Sequence, residues 1–333
     1  MKNALVLAFA YMRYYRLRAA ILTICIAITI FLPLAVQSLV QYYNRIMIDR
    51  AESTPLILGA PGSPSELVLN ALYFKGRVER RTTMGEVETV QTSGLATAIP
   101  LHIHFEAMKT PVIGTSLDYF SFRGLRIASG RWPQIMGEVV IGAGAAQRLG
   151  IEVGGWVLTD HDKLYDISAS YPLRMKVVGV MNESGGPDDL AIFTDIKTAW
   201  VIEGIGHGHE KAESVEDPDK MLRSIGRNLV MSGAVVEYNE ITPENVGAYH
   251  FHGDRSTFPV SSLIAVPHDR KSGTILKARY GDAAEVQAVA PSRVIRDMMD
   301  IVFRVKRFFD ANFTMVVIST GLFLVLVIGL SMR

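Results

Sequence analysis

The chain has 333 residues, 49% of them hydrophobic, and its 34 Lys and Arg nearly cancel 33 Asp and Glu to leave a net charge of +1. Lys2, Arg13, Arg16, Arg18 and Arg333 lie at the termini, so the remainder carries about −4, which argues against a nucleic-acid-binding surface. The single cysteine, Cys25, leaves no disulfide for an exported portion, which must be held by its own core.

Two charge-free apolar runs sit near the ends, Ala19 to Val40 and Phe313 to Met332. As helices rising about 1.5 Å per residue, each can cross a hydrocarbon layer of about 30 Å. No acidic residue occurs among the first eighteen, and the four cations there place the N-terminus in the cytoplasm and the long insert outside. Arg304, Lys306 and Arg307 beside the second run oppose this, but long translocated domains largely override local charge. The first run is longer than a signal core, and Gln41-Tyr42-Tyr43 is no small-residue cleavage site, so a retained anchor is expected. Cys25 reads as a small packing residue of that helix.

Helical patterning continues to about Asp49, as a stalk ended by Ser53-Thr54-Pro55, and Pro33 lies inside the span. Leu56 to Ala60 reads as a strand, Pro61 to Pro64 as a turn and Ser65 to Phe74 as a helix. From Ala96 to Ile113 the chain alternates, with Leu101, Ile103 and Phe105 on one face and His102, His104 and Glu106 on the other. Gly-marked turns follow Asp118-Tyr119-Phe120. Then come a strand Glu138 to Ile141, a helix Ala143 to Leu149 stopped by Gly150, and strands at Trp156 to Thr159, Leu173 to Val180 and Leu190 to Phe193. Gly206 to Lys220 is polar and acidic and is expected to be an exposed, mobile loop. A last strand, Val286 to Ala290, precedes a helix starting about Ser292 that runs into the second span.

The segment Gly114 to Arg131 contains Asp118-Tyr119-Phe120, Gly124 and Gly130-Arg131. It is followed by Gly137-Glu-Val-Val-Ile-Gly142, by Ala146-Gln-Arg-Leu-Gly-Ile-Glu-Val-Gly154 and by Lys176-Val-Val-Gly-Val180. In order and spacing, over about Ile113 to Gly204, this resembles the periplasmic core domain of the MacB/FtsX-like ABC transporter permeases. On the residues alone, the glycines punctuate turns while Tyr119, Phe120, Phe122, Leu125 and Ile127 offer core anchors, so the motif specifies a small β-rich fold and no chemistry.

The resemblance implies a bacterial inner-membrane permease with a large extracytoplasmic domain. Its expected partners are an ABC ATPase subunit, a second permease copy or homologue, a periplasmic protein and the lipid bilayer. No Gly-x-x-x-x-Gly-Lys-Ser/Thr loop is present, so ATP is expected on a partner chain only. Permeases of this kind continue with two more spans, whereas this sequence stops at Arg333, which reads either as a truncation or as a chain whose other half is supplied separately. No nucleophile triad, His-Glu-x-x-His helix or dinucleotide fingerprint occurs, and no enzyme activity is expected.

Six of the eight histidines form His-x-His pairs: His102 and His104, His207 and His209, His250 and His252. On a strand, i and i+2 share a face, so each pair can offer two imidazoles to one metal, most plausibly zinc, and Glu106 extends the first pair to three ligands. Each pair alone reads more readily as solvated or core histidines than as a metal site, and it is the recurrence of three pairs that raises the metal reading. Arg77 to Arg81, and Arg293 to Asp300, read as solvated faces, and Asp188 and Asp189 as turn and cap residues.

The resulting expectation is an α+β extracytoplasmic domain on two transmembrane helices. A porter-like β/α subdomain (51–112 and 206–291) carries an inserted β-rich subdomain (113–205). The cytoplasmic N-terminus is 1–18, the first span 19–40, its stalk 41–50, the second stalk 292–312 and the second span 313–332. The competing expectation is a membrane-anchored sensor or metal-binding module without transport.

Overall fold

The computed structural model describes residues 2–160, 172–208, 221–225, 228–231, 239–281 and 283–331. They form two units, Met1–Arg50 with Ile295–Arg333, and Ala51–Val294.

The first unit is helical. A helix Lys2–Tyr14 is followed by Arg16–Glu52, 37 residues with Pro33 inside it, and the chain closes in Pro291–Ser331, 41 residues. Both long helices are long and apolar enough to cross a membrane. At about 55 and 60 Å they exceed the hydrocarbon thickness by roughly 25 to 30 Å. Their exposed side chains include Ile21, Phe31, Leu34, Met315, Leu322 and Val325. Such a surface suits lipid and not water. The chain is thus a membrane protein with apolar helices at both ends.

The second unit is a mixed α/β fold on one large sheet. Among the described residues its main path runs Asn239–Glu240, Leu173–Met181, Glu138–Ile141, Ile192–Asp195, Thr110–Thr115, Ala96–Ala107, Ser262–Pro267, Leu56–Gly59 and Gln287–Val289. Ile127–Gly130 and Trp156–Leu158 pair antiparallel with Leu173–Met181. Two apolar cores lie along this sheet. One joins Leu56, Leu58, Val87, Trp200, Leu263 and Leu276, and the other Val112, Val139, Ile141, Val177, Ile192 and Ile202.

Local chemistry sets several boundaries. The helix Pro64–Tyr73 starts where the Ser63 hydroxyl accepts the Glu66 N–H, with Pro64 in the first turn, and stops at Phe74 in the left-handed region. Ile196–Ile202 starts where the Asp195 carboxylate accepts the N–H groups of Lys197 and Thr198. The strand Glu138–Ile141 and the helix Ala143–Leu149 fall where the sequence predicts them.

Other expectations are corrected. The alternating run from Ala96 is a hairpin of two strands, Ala96–Ala107 and Thr110–Thr115, turning at Met108 and Lys109 with φ of 52° and 58°. Positive φ at both turn residues matches the twist of the strands, and the Asp160 carboxylate accepts both their N–H groups at 2.9 and 2.8 Å. The pairing shifts between Ile103 and Phe105, so strict alternation fails there. Asp118-Tyr119-Phe120 lies in a helix, Leu117–Arg123, with Tyr119 and Phe120 buried and Phe122, Leu125 and Ile127 half-buried. Gly206–Gly208 is a strand where a loop is expected. The rest of that loop lies outside the described residues.

The glutamate of the Gly137-Glu138 motif is buried. Its carboxylate accepts two N–H bonds from Arg131 and the backbone N–H of Gln134 at 2.8 Å. Burial pushes this carboxyl up, but Arg131 and the backbone donors outweigh it and hold it below the usual carboxylate range. Glu138→Gln is expected to destabilise the protein by about 2 kcal/mol, towards the lower part of the range for charged hydrogen bonds because Arg131 is half-exposed. Chemical denaturation of the two proteins in the same detergent checks this.

Candidate metal centre and a buried histidine network

Three histidines meet on a two-stranded antiparallel pair, Gly206–Gly208 with Tyr249–Phe251. The register sets His207 directly opposite His250, and His252 follows two residues on, beside the same face. Ring centroids are 4.9 Å apart for His207 and His250, 4.9 Å for His207 and His252, and 4.7 Å for His250 and His252. One ring nitrogen from each lies within 4.8 Å of the others.

The residues between the histidines secure this arrangement. Phe251 turns the other way, onto Trp200 and Phe258, with centroids 6.2 and 6.0 Å away. Gly206 and Gly208 have no side chains to obstruct the partner strand's rings: a Cβ at Gly206 would stand 2.5 Å from Phe251, and one at Gly208 2.8 Å from Tyr249. The aromatic residues cover the glycines and bind the pair to the core, while the imidazoles remain on the accessible face.

The first histidine pair is placed differently. His102 is fully buried and its Nε2 lies 3.0 Å from the Glu203 carboxylate, which also binds the Arg81 guanidinium. Its Nδ1 has no hydrogen-bond partner among the described residues. His104 is half-buried with its ring edge-on to Phe105, and Glu106 is exposed. The ring centroids of His102 and His104 are 6.4 Å apart, and the described residues do not bring these two and Glu106 together as one ligand set. His209 lies outside the described residues.

Burial pushes the Glu203 carboxyl up, but His102 and then Arg81 outweigh it and hold the group below the usual carboxylate range. Arg81, expected on a solvated face, is therefore an ion-pair partner. Asp188 and Asp189 are also buried: Asp188 accepts the Tyr119 hydroxyl at 2.6 Å, and Asp189 accepts the N–H groups of Ser184 and Gly185 at 2.8 and 2.7 Å.

Neither Glu203 nor Arg81 carries a local signal of its role, since 101 and 21 residues separate them from His102. The meeting of His207 with His250 and His252 depends on a strand pairing that i, i+2 spacing does not contain. A cleft of about 520 Å³ opens elsewhere, lined by Ser116, Leu117, Phe120, Ile135, Met136 and Lys197 among others. It has room for a small ligand or a few side chains of a partner.

The family model of the MacB-like periplasmic core domain matches residues 19–227. Among solved structures, the periplasmic region of MacB from Actinobacillus actinomycetemcomitans is similar, with 11% identity over 74% of this chain and 92% of that one and a TM-score of 0.41. The extracellular domain of the noncanonic ABC-type transporter YknZ from Gram-positive bacteria is similar with 11% identity, 70% and 98% coverage and a TM-score of 0.38. No curated protein matches.

Proposed function

From the premise that this chain belongs to the MacB-like periplasmic core domain family, we propose that it is a permease subunit of an ABC-type transport or mechanotransmission system. The observation that carries this reading is the family match itself, which begins inside the first apolar helix and runs into the folded unit as far as residue 227. The N-terminus faces the cytoplasm of a bacterial cell, the unit Ala51–Val294 lies outside the inner membrane, and the helices Arg16–Glu52 and Pro291–Ser331 cross it. A partner chain binds and hydrolyses ATP, and a second permease copy or homologue completes the assembly.

Coupling in this scheme is mechanical. Each terminal helix is longer than the bilayer is thick and continues from end to end, with Pro33 inside the first, so a displacement imposed at one end is carried along it to the other. The external unit would then exchange between two arrangements and engage a substrate or a periplasmic partner. No bond chemistry is required of this chain.

A second reading, a membrane-anchored metal-binding module without transport, is favoured by the cluster of His207, His250 and His252. One experiment separates the two. Purification of the chain from its native membranes in mild detergent is expected to recover a subunit that binds ATP, identified by mass spectrometry, whose hydrolysis rate changes with the permease bound. Repeated recovery of the chain without such a subunit would overturn the permease reading.

A further inference from the structure

We propose that His207, His250 and His252 form a binding site for a divalent first-row transition metal, with zinc as the probe cation. The proposal does not depend on the coupling scheme. It rests on the donor set and on its geometry.

Among the described residues the set is three imidazoles with no carboxylate, a nitrogen-only set that suits zinc, copper or nickel and not calcium or magnesium. Zinc–nitrogen distances of about 2.0–2.1 Å place two tetrahedral ligands about 3.3–3.4 Å apart. The Nε2 atoms of His250 and His252 are 3.1 Å apart, close to that edge. His207 stands within 4.8 Å of both, and His207 and His252 are exposed, so side-chain rotation can close the remaining gap.

The tautomer of His250 also fits. Its Nδ1 lies 3.3 Å from the Ala248 carbonyl oxygen. A carbonyl only accepts, so the proton of this contact sits on Nδ1 and Nε2 keeps its lone pair. A backbone carbonyl on the far nitrogen is the usual support for a metal-bound histidine, fixing the ring and raising its basicity. Three protein ligands leave a tetrahedral cation a fourth position for water or an exogenous donor. A bound cation would tie Gly206–Gly208 to Tyr249–Phe251 through side chains as well as through the ladder.

The test uses the full chain without an affinity tag, in detergent, stripped of metal with a chelator. Titration calorimetry is expected to show one zinc per chain. His207→Ala, His250→Ala and His252→Ala should each weaken binding at least about tenfold, and the triple variant should abolish it. Cobalt(II) should give the visible absorption of a tetrahedral site, lost in the triple variant. A control double variant, His104→Ala with His268→Ala, should bind like the parent. Melting in metal-free buffer should be the same for parent and triple variant, and added zinc should raise the midpoint of the parent alone. Absence of zinc binding, or binding that survives in the triple variant, overturns the proposal and leaves the recovery of an ATPase partner unaffected.

Discussion

Gly130→Ala is expected to destabilise the protein by about 3 kcal/mol or more, which for a domain of this size lowers the melting midpoint by roughly 6–12 °C. Two independent effects add. Gly130 has φ of +83°, a conformation that a residue with a Cβ adopts only at a cost of about 1–3 kcal/mol. A Cβ there would also stand 2.2 Å from the Val178 carbonyl oxygen, and that atom accepts the Arg131 N–H at 2.9 Å. A backbone atom already fixed in the ladder has little room to yield. The cross-strand partner, Gly179, is crowded in the same way, since its Cβ would meet the Arg131 carbonyl oxygen at 2.4 Å.

Gly150→Ala separates the two effects. It has φ of +66° with nothing within 4 Å of the added Cβ, so about 1 kcal/mol is expected. Thermal unfolding of both variants in one detergent checks the difference. Equal losses would mean that the close approach at Gly130 contributes nothing. The result bears on the family motif directly, because Gly130 precedes the arginine that binds Glu138.

Glu203→Ala should have a comparable effect, about 3 kcal/mol. The substitution leaves the fully buried His102 and the partly buried Arg81 without their shared carboxylate. It should also change how stability depends on pH. A carboxyl whose folded pKa lies below its unfolded value contributes fully above the unfolded value, about 4.3. That contribution is lost as pH falls through the lowered folded value. As pH falls below about 4.3, the margin by which the parent leads the variant should therefore shrink. Denaturant midpoints measured from pH 7 down to pH 3 test this. A margin that stays constant to pH 3 would show that the carboxylate's charge plays no part.

Legibility in the sequence followed the range of the interactions. Glu138–Ile141 and Ala143–Leu149 are set by neighbouring residues, a four-residue apolar run and a glycine stop, and both are read correctly from the chain. The helices Met84–Thr92 and Leu117–Arg123 escape because nine and seven residues are too few to show a period. His102 is assigned to a polar face by alternation, yet it is fully buried, because helix Ile196–Ile202 packs against its strand and the following Glu203 meets its ring. The histidine cluster was half legible: the His250-x-His252 spacing is local, whereas the approach of His207 is set by the ladder register.

Among the described residues, the main path of the sheet ends on one side in Gln287–Val289, three residues long. Proteins held in a bilayer meet their neighbours in two dimensions, at local concentrations that favour strand addition between copies. An open edge this short offers an incoming strand only one or two backbone hydrogen bonds, too few to offset the entropy of ordering it. The brevity of this terminal strand therefore acts as a safeguard against edge-to-edge polymerisation, and lengthening it would be expected to make the protein aggregate before it affected the fold.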